Sequence, residues 1–418
     1  MNNDQLTIGN DQLPEGYKQT EIRVIPEDWQ PYRVGDVVSF SGGSQPPRST
    51  FVFKPKTGYL RLIQIRDYKT DVYETYIPEE LAKKKCTEQD VMIGRYGPPI
   101  FQILRGIEGA YNVAIIKTIP SEKIDREFLY QFIRNDELFK LMEMLSQRSS
   151  GQTGVELPAL REYPVALPPL EEQRSIAQAL SDVDRLIAAL DRAIAKKRAI
   201  KTATMQQLLT GEKRLPGFLG NWTDTQIGTE IDLLTGYPFP SANYSDSGIK
   251  LLRGSNIKRG ETDWAEDLIQ YWSEITPDIS QYVLKDGDIV VAMDGSLVGR
   301  SFARLSKADL PALLLQRVAR IRSEKIDVGY LKEWICSKFF TEHCDAVKTV
   351  TAIPHISSGD IRSFRIRIPP THEEQRAIAT VLSDMDAEIA ALETRLAKTQ
   401  ALKQGMMQAL LTGRVRLV

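Results

Sequence analysis

The sequence predicts an α+β fold in which two small α/β domains alternate with two long helices, so that one pattern occurs twice. Three observations support this prediction. A helical segment recurs almost unchanged, both copies carry a heptad pattern of apolar residues, and the stretches between them contain short strand-like runs with turns and one helix. The length of 418 residues also exceeds what one ordinary hydrophobic core accommodates.

The repeat is the clearest of these observations. The segment EEQRSIAQALSDVD, which begins at Glu171, returns as EEQRAIATVLSDMD at Glu373, and the ending LLTG occurs in both copies. More than half of the positions after Glu172 and Glu374 are identical at a constant offset. The chain therefore consists of two cycles, each with a variable segment followed by a nearly fixed one.

The fixed segments are predicted to be helices. Apolar residues in them alternate in steps of four and three, which is the seam of a coiled coil: Ile176, Leu180, Val183, Ile187, Leu190 and Ile194, then Ile378, Leu382, Met385, Ile389, Leu392 and Leu396. Gly211 and Gly413 follow as left-handed caps. Each helix can run for about 40 residues, or about 60 Å. We expect the two helices to pack on each other; the alternative is that each packs on a separate domain.

The variable segments share an order of elements although their sequences differ. Strand-like runs at 59–63, 90–94 and 110–119 correspond to runs at 249–253, 288–292 and 315–321. A helix is predicted after them at 127–146 and 329–347, and a polar loop follows each helix. This order predicts a compact α+β domain in each cycle.

Composition limits the possible functions. Hydrophobic residues make up 42% and charged residues 26%, as in folded water-soluble proteins, and no apolar run reaches the roughly 20 residues of a membrane helix. The beginning of the sequence lacks the pattern of an export signal, and Cys86, Cys336 and Cys344 have no CxxC spacing. We therefore expect a cytoplasmic protein without a disulfide framework and without membrane contact.

The net charge of −1 does not by itself favour a nucleic-acid ligand. Positive charge is concentrated in two stretches, which either contact phosphates or form ordinary solvated faces. The first stretch contains Arg48, Lys54, Lys56, Arg61, Arg66 and Lys69, and the second contains Arg300, Arg304, Lys307, Arg317, Arg320 and Arg322.

Catalytic motifs are missing from the sequence. It has no phosphate-binding GxxxxGK[ST] loop, no GxGxxG fingerprint and no Asn/Asp-Pro-Pro-aromatic motif of amino-methyltransferases. Asp67-Tyr68-Lys69 is the only acidic-x-Lys triplet, and we interpret it as a turn rather than as a nuclease site. The histidines His343, His355 and His372 lack the spacing of a zinc site, so we expect no metal and no catalysis.

Two variable segments that alternate with two copies of a Pro-Pro pair, EEQR and the ending LLTG closely resemble the specificity subunits of type I restriction–modification systems. The resemblance implies that each variable segment is a target recognition domain for one half of a split sequence in double-stranded DNA. It also implies that the repeated helices form an antiparallel spacer and dock the methyltransferase subunits, and that a restriction motor–nuclease subunit completes the cutting complex. S-adenosylmethionine, ATP and Mg²⁺ would then belong to the partners and not to this chain.

This resemblance divides the chain into five parts. We expect an N-terminal arm at 1–14, recognition domains at 15–167 and 216–368, and repeated helices at 168–215 and 369–418. Two unlike domains on a pseudo-two-fold scaffold predict a bipartite, asymmetric target.

Arg, Lys, Asn and Gln are the side chains that best read base edges, and we expect them in the loops that follow the strand motifs. The candidates are Gln64, Arg66, Tyr68, Lys69, Arg95 and Tyr96 in the first domain, and Arg253, Asn256, Lys258, Arg259 and Asp294 in the second. The polar loops at 147–153 and 348–355 are second candidates for phosphate contact, through Arg148, Ser149, Lys348 and Thr349. For partner docking the candidates lie at the two helix starts: Glu172, Gln173, Arg174, Glu374, Gln375 and Arg376. For each of these residues the alternative is a plain surface role.

Three other interpretations stay open at this point. The same architecture could serve another class of methylating nuclease with a separate specificity chain. The variable domains could bind proteins instead of DNA, or the chain could be an enzyme in its own right. Arginine and lysine beside aromatic residues in both variable segments favour DNA.

Overall fold

Two parts of the chain fold into units that share one order of strands and helices. The computed structural model describes residues 13–148 and 154–417. The described residues up to Asp191, together with those from Arg395 onward, form unit 1, and Arg192–Thr394 form unit 2. Each long helix therefore contributes residues to both units. The domain boundaries expected from the sequence stay a prediction.

Unit 1 contains short strands followed by short helices. The strands are β1 (Tyr17–Gln19), β2 (Val24–Pro26), β3 (Gln30–Arg33), β4 (Val38–Gly42), β5 (Tyr59–Ile63), β6 (Tyr76–Pro78), β7 (Lys85–Cys86), β8 (Met92–Gly94), β9 (Gln102–Leu104), β10 (Gly109–Tyr111), β11 (Ile115–Pro120) and β12 (Pro164–Leu167). The helices are α1 (Val34–Val37), α2 (Arg126–Phe132), α3 (Asp136–Arg148), α4 (Leu157–Glu162) and the first part of α5 (Leu170–Thr210).

Unit 2 repeats this order. Its strands are β13 (Thr223–Gln226), β14 (Asp232–Thr235), β15 (Ile249–Leu252), β16 (Arg259–Gly260), β17 (Tyr271–Trp272), β18 (Ile289–Ala292), β19 (Phe302–Arg304), β20 (Ala312–Leu314), β21 (Val318–Arg322) and β22 (Arg365–Ile368). Its helices are α6 (Val328–Cys336), α7 (Lys338–Val347), α8 (Ser358–Arg362) and the first part of α9 (His372–Leu410).

The sheets of the two units have corresponding strand orders. The order β4-β11-β8-β9 in unit 1 corresponds to β14-β21-β18-β19 in unit 2, and β6-β5-β10 corresponds to β17-β15-β20. In both units most pairs are antiparallel, whereas β5–β10 and β15–β20 are parallel. The α+β fold with an internal repeat is confirmed.

Two details of the predicted secondary structure are wrong. The strand-like run expected at 110–119 is two strands, β10 and β11, which lie in different sheets. The single helix expected at 127–146 is two helices, α2 and α3, and the one expected at 329–347 is α6 and α7. Polar side chains divide them by binding the backbone. The Leu138 N–H donates to Asn135 Oδ1 at 2.8 Å, and the Phe340 N–H donates to Ser337 Oγ at 3.4 Å. Such side-chain caps start a new helix at the break.

The long helices run antiparallel within each unit, as expected. In unit 1 Asp184 of α5 binds Lys403 of α9 at 2.7 Å. In unit 2 the pairs Lys197–Glu388 and Lys201–Asp386 are both 2.5 Å long, and the residue numbers run in opposite directions along the two helices. The caps are also confirmed, since Gly211 and Gly413 have φ values of 69° and 74°.

Each unit has its own core, and both long helices contribute to it. In unit 1 Ile176 and Leu180 of α5 are buried in one cluster with Trp29, Phe128 and Leu410. The cluster in unit 2 joins Leu209 of α5 and Leu382 of α9 with Tyr330, Trp334 and Val291. The heptad residues therefore pack on the domain as well as on the partner helix.

Candidate nucleic-acid interface

The two loops that follow the strand motifs lie side by side in each unit. In unit 1 the loops follow β5 and β8, and a Cβ atom at Gly94 would lie 3.3 Å from Cδ1 of Ile65. In unit 2 the loops follow β15 and β18, and a Cβ atom at Gly254 would lie 3.5 Å from Oδ1 of Asp294. The structure thus brings together residues that are about 30 to 40 positions apart in the sequence.

A third segment joins these loops in both units. In unit 1 the Val155 N–H donates to the Arg95 carbonyl at 3.0 Å. In unit 2 the Gly295 N–H donates to the Pro354 carbonyl at 3.0 Å, and the Ile356 N–H donates to the Met293 carbonyl at 2.8 Å. The segment after each helix pair therefore reaches the same end of the sheet. We call the three segments of each unit its loop cluster: 64–75, 95–96 and 154–155 in unit 1, and 253–263, 293–297 and 348–356 in unit 2.

Two predicted phosphate contacts cannot be placed. Ser149 and residues 150–153 lie outside the described residues, and so does the side chain of Arg148 at the end of α3. Both stay predictions.

The loop cluster of unit 1 presents basic side chains next to aromatic rings. The Arg66 guanidinium lies 5.3 Å from the centre of the Tyr73 ring, and its side chain is half exposed. Arg95 is similarly 5.3 Å from the ring of Tyr96. Lys69 is exposed. A cation–π contact holds a guanidinium in place without neutralising its charge. Arg95 forms no ion pair with any described residue, whereas Arg66 also lies 3.9 Å from Asp67.

Gln64 and Tyr68 have mainly structural contacts. The Gln64 amide donates to Thr75 Oγ1 at 3.2 Å and so fastens the two ends of the loop. Tyr68 packs against the buried cluster around Ile63 and Met92, and burial raises the pKa of its hydroxyl. Tyr68 therefore supports the loop from inside, and its contact with DNA stays a prediction.

In unit 2 the predicted base readers divide into exposed and buried residues. Arg259 is exposed, and Lys258 is half-buried 3.4 Å from Asp263. The guanidinium of Arg253 donates to the Leu268 carbonyl. Asn256 is fully buried, accepts from the Arg253 N–H at 3.1 Å and donates to the Asp263 carbonyl at 3.0 Å. A side chain without exposed surface cannot reach a base, so Asn256 is a loop anchor and the expected contact is corrected.

The third segment of unit 2 is closed at its base by hydrogen bonds. Thr349 Oγ1 lies 2.9 Å from His355 Nδ1, and the Thr349 N–H donates to the His355 carbonyl at 3.0 Å. Lys348 binds Asp345 at 2.6 Å. Hydrogen bonds from Arg300 and Lys348 hold the pKa of Asp345 at about 2, so this carboxylate is charged at neutral pH.

A cleft of about 520 Å³ opens within the loop cluster of unit 2. Lys258 and Asp294, which the sequence predicts as DNA contacts, line it together with Gln316 and Arg317, neither of which the sequence predicts as a base reader. Arg317 belongs to the basic stretch noted above, and both residues are exposed in the turn between β20 and β21. Their place beside the cleft depends on the pairing of β15 with β20, for which the sequence contains no local signal.

The two basic stretches differ in how their charges are compensated. In the first, Arg48, Lys54, Lys56 and Lys69 are exposed and form no ion pair with any described residue, although Arg61 binds Asp71 and Glu74. In the second, three of the arginines form pairs of 2.6 Å or less: Arg300–Asp345, Arg320–Asp232 and Arg322–Asp288. Four exposed cations of the first stretch are therefore unpaired among the described residues, and three of the second are: Arg304, Lys307 and Arg317.

The predicted docking residues at the helix starts are mostly buried. Glu172 and Glu374 are 4% and 0% exposed, and each binds an arginine at 2.7 Å, Arg416 and Arg214 respectively. These glutamates hold the segment after the opposite long helix, a role that corrects the expectation of partner docking.

The glutamines have a similar role. Gln173 accepts from the Asp125 N–H at 2.7 Å and donates to the carbonyls of Lys123 and Pro168 at 2.9 Å. Gln375 accepts from the Asp327 N–H at 2.8 Å. Both are nearly fully buried, so the expected docking contacts are corrected here as well. Arg174 and Arg376, with side chains 66% exposed, stay predicted docking residues.

The described residues offer neither a metal cluster nor an ionised thiol at Cys86 or Cys344. Residues 13–148 and 154–417 contain no cluster of three or more His, Cys, Asp or Glu side chains suited to a metal. Burial raises the pKa of Cys86 to about 11 and that of Cys344 to about 12, so both thiols are protonated at neutral pH. Asp67 is buried and accepts from the Gln64 N–H at 2.9 Å within a 3-10 turn, in agreement with the predicted turn. Within the same described ranges no helix is long and apolar enough to cross a membrane.

Comparison with known proteins identifies a family. The profile of the family described as "Type I restriction modification DNA specificity domain" matches residues 26–197 and 225–403. The MjaVIII type I restriction enzyme specificity subunit of Methanocaldococcus jannaschii is 26% identical over 96% of both chains. The EcoAI specificity subunit of Escherichia coli is 32% identical over 162 residues, which are 38% of this chain and 27% of that one.

Solved structures agree with these sequence relatives. The crystal structure of a type I restriction–modification S subunit from M. genitalium has a TM-score of 0.60 at 11% identity and covers 96% of this chain and 98% of its own. A chain from a study of complex assembly in the type I system has a TM-score of 0.58 at 19% identity and covers 94% and 99%. At these identities the likeness concerns the fold.

Proposed function

This chain belongs to the family of type I restriction–modification specificity subunits, and from that membership we propose that each unit reads one half of a bipartite, asymmetric target in double-stranded DNA. The observation that carries this proposal is the occurrence of the same loop cluster in both units with different side chains. Arg66, Lys69 and Arg95 lie in one cluster, and Lys258, Arg259 and Asp294 lie in the other. One scaffold with two sets of readers is suited to two unlike half-sites.

The chemistry of the loop clusters suits base reading in the major groove. Arginine can bind O6 and N7 of guanine, and an acidic side chain can accept from the amino group of cytosine. The free lysines of unit 1 are suited to phosphates, which fix the register of a protein on the duplex without selecting a sequence. The exposed side chains of each loop cluster would therefore select bases while the lysines position the duplex.

The chain itself is proposed to be non-catalytic. It would direct methyltransferase and restriction motor–nuclease subunits to the target, and those subunits would bind S-adenosylmethionine, ATP and Mg²⁺. Arg174 and Arg376 occupy matching exposed positions at the starts of α5 and α9, where they would contribute to docking of such partners.

Adenine methylation across the genome of the native host, with and without this gene, tests the proposal. Loss of one bipartite, asymmetric motif on deletion is the expected result. Replacement of residues 15–165 by the matching segment of a relative should then change one half of the motif, and replacement of 217–366 should change the other. A chimera that alters both halves at once would contradict the assignment of one half-site to each unit.

The experiment also separates the alternatives. If deletion leaves methylation unchanged while the partner subunits are expressed and active, the chain is not their specificity subunit. Capture of partners from the host would then show whether the variable domains bind other proteins. Turnover of S-adenosylmethionine or cleavage of DNA by the purified chain alone would show that it is an enzyme.

A further inference from the structure

We propose that Gln316 and Arg317 read bases in the half-site of unit 2, an inference that rests on the proposed function. Both residues are exposed in the turn between β20 and β21. They line the cleft of about 520 Å³ together with Ser255, Lys258 and Asp294. The turn is thus a fourth recognition segment beside the three of the loop cluster.

The backbone of Arg317 is held in an unfavourable conformation. Its φ is 68°, and among the described residues Phe101 is the only other non-glycine residue with a positive φ. The left-handed region is uncommon for a long side chain and costs of the order of 1 kcal/mol or more. Three backbone hydrogen bonds hold the turn in place. The Gln316 N–H donates to the Tyr237 carbonyl at 2.9 Å, and the Met293 N–H donates to the Arg317 carbonyl at 2.8 Å. The Val318 N–H donates to the Leu315 carbonyl at 3.3 Å.

Stability does not account for an arginine at this position. Glycine would adopt the same backbone conformation without strain. Arg317 forms no ion pair and no side-chain hydrogen bond with any residue that the structure describes, and its side chain is exposed. A strained, exposed and unpaired arginine beside a cleft is explained if the guanidinium binds a ligand there.

The equivalent turn of unit 1 has small apolar residues instead. The Arg95 N–H donates to the Ala114 carbonyl at 2.8 Å, as the Met293 N–H does to that of Arg317. A second pair of hydrogen bonds supports the same alignment of the two units. The Gly43 N–H donates to the Ile115 carbonyl and the Gly236 N–H donates to the Val318 carbonyl, both at 3.0 Å. Val113 and Ala114 therefore occupy the positions of Gln316 and Arg317.

The adjacent loop shows the reverse exchange. Unit 1 has Arg95-Tyr96 where unit 2 has Met293-Asp294. Each unit therefore carries one arginine at this backbone hydrogen bond. Arg95 provides the N–H donor in unit 1, and Arg317 provides the carbonyl acceptor in unit 2. This exchange predicts that the two half-sites differ at the base pairs that face these positions.

The chemistry of the pair points to purines. Arginine forms two hydrogen bonds to guanine O6 and N7, and glutamine forms two to adenine N6 and N7, all on the major-groove edge. Gly254 and Gly295 line the same cleft, where missing side chains allow a base pair to approach the backbone. We therefore assign one guanine and one neighbouring adenine of the unit 2 half-site to Arg317 and Gln316.

The decisive variant is Arg317→Gly, which removes the side chain and the strain together. Tested in the complete complex within the host, it should lower discrimination at one base pair of one half-site by about 10- to 100-fold. Adenine methylation mapping would show this as degeneracy at that base pair alone. The melting temperature of the purified chain should stay the same or rise, because glycine is unstrained at a φ of 68°.

Gln316→Leu is the second variant and should relax the neighbouring base pair in the same half-site. Lys285→Ala is the matched control, since it removes one exposed charge before β18 that forms no ion pair with any described residue and belongs to neither basic stretch. The control should leave every position of the motif unchanged.

The results separate this inference from the proposed function. If the wild-type gene determines no methylation motif, the proposed function fails. If the wild-type motif is present and Arg317→Gly and Gln316→Leu leave it intact, the inference is overturned while the function stands. A lower melting temperature for Arg317→Gly would also overturn it, because the arginine would then be structural.

Discussion

Units 1 and 2 agree most closely where the long helices begin and differ most where the loop clusters lie. Glu172–Arg416 in unit 1 matches Glu374–Arg214 in unit 2, with both pairs at 2.7 Å. The loop clusters instead place an unpaired Lys69 in unit 1 and an ion-paired Lys348 in unit 2. The repeated residues therefore build the scaffold, and the residues that vary are the ones free to select a ligand.

The comparison also shows where the repetition is incomplete. Trp29 and Trp222 precede β3 and β13, and Trp29 is fully buried with its Nε1–H donating to Glu172 at 3.0 Å. Trp222 is half-buried and packs against Gly211, and its Nε1–H has no partner among the described residues. The same residue type at similar positions thus contributes a hydrogen bond in one unit and packing alone in the other.

Substitution of the two tryptophans should give the largest difference between the units. Trp29→Ala is expected to lower the free energy of unfolding by about 3–5 kcal/mol, because it empties a fully buried site. Trp222→Ala should cost clearly less. Urea unfolding followed by circular dichroism measures both, without dependence on tryptophan fluorescence.

Phenylalanine variants isolate the hydrogen bond. Trp29→Phe removes one of the two donors to Glu172 Oε2, the other being Arg416, and should cost about 1–3 kcal/mol. Trp222→Phe should be nearly neutral because no bond is lost. Equal losses for the two phenylalanine variants would show that the hydrogen bond seen in unit 1 contributes nothing.

The buried glutamines should give the next largest effect. Gln173→Ala removes three hydrogen bonds to backbone groups and Gln375→Ala removes two. Each buried group left unpaired costs about 1–3 kcal/mol, so both variants should be destabilised and Gln173→Ala more so. Gln178→Ala, at an exposed position on α5, is the matched control and should change the stability by less than about 0.5 kcal/mol. If all three variants behaved alike in urea unfolding, the glutamines would not be anchors.

These anchors show what the sequence could and could not predict. The repeat, the heptad seam and the helix ends follow from local patterns, and the structure confirms them. The strands follow only in part, since the run at 110–119 is two strands in different sheets. From the local pattern alone, an EEQR motif in a first helical turn is expected to be exposed. Nothing local indicates that Gln173 and Gln375 accept hydrogen bonds from the backbone N–H groups of the helix-capping residues Asp125 and Asp327. Burial of that motif is a tertiary effect.

The same limit applies to the loop clusters. Asn256 and Arg259 are three residues apart and equally suitable base readers by chemistry, yet one is fully buried and the other exposed. Gln316 enters the cleft through the parallel pairing of β15 with β20, residues that are far apart in the sequence. Residue type predicts which side chains can read DNA, and the fold decides which of them can reach it.

The salt dependence of DNA binding should differ between the two units, because an unpaired cation contributes more to phosphate binding than one that is already ion-paired. Lys56→Ala with Lys69→Ala should reduce the slope of log K against log salt by about 0.9 for each phosphate contact that is lost. Lys348→Ala should change it less, because Lys348 already binds Asp345. Fluorescence anisotropy of the complete complex with target duplex measures the slopes. A larger change for Lys348→Ala would reverse the proposed distribution of phosphate contacts.

The smallest expected effect is the pH dependence of Asp345 in unit 2. Hydrogen bonds from Arg300 and Lys348 lower its pKa from 3.8 in the unfolded chain to about 2 in the folded one. A carboxylate whose pKa is lower in the folded chain stabilises the fold fully at pH values above its unfolded pKa. This stabilisation is lost as the pH falls towards the folded pKa. Asp345→Asn should therefore be slightly less stable than the wild type at pH 7. The gap should be well below 1 kcal/mol, since the pair is partly exposed, and should close between pH 4 and pH 2. Thermal melts at several pH values test this, and a gap that persists at pH 2 would mean that the aspartate acts through packing rather than through its charge.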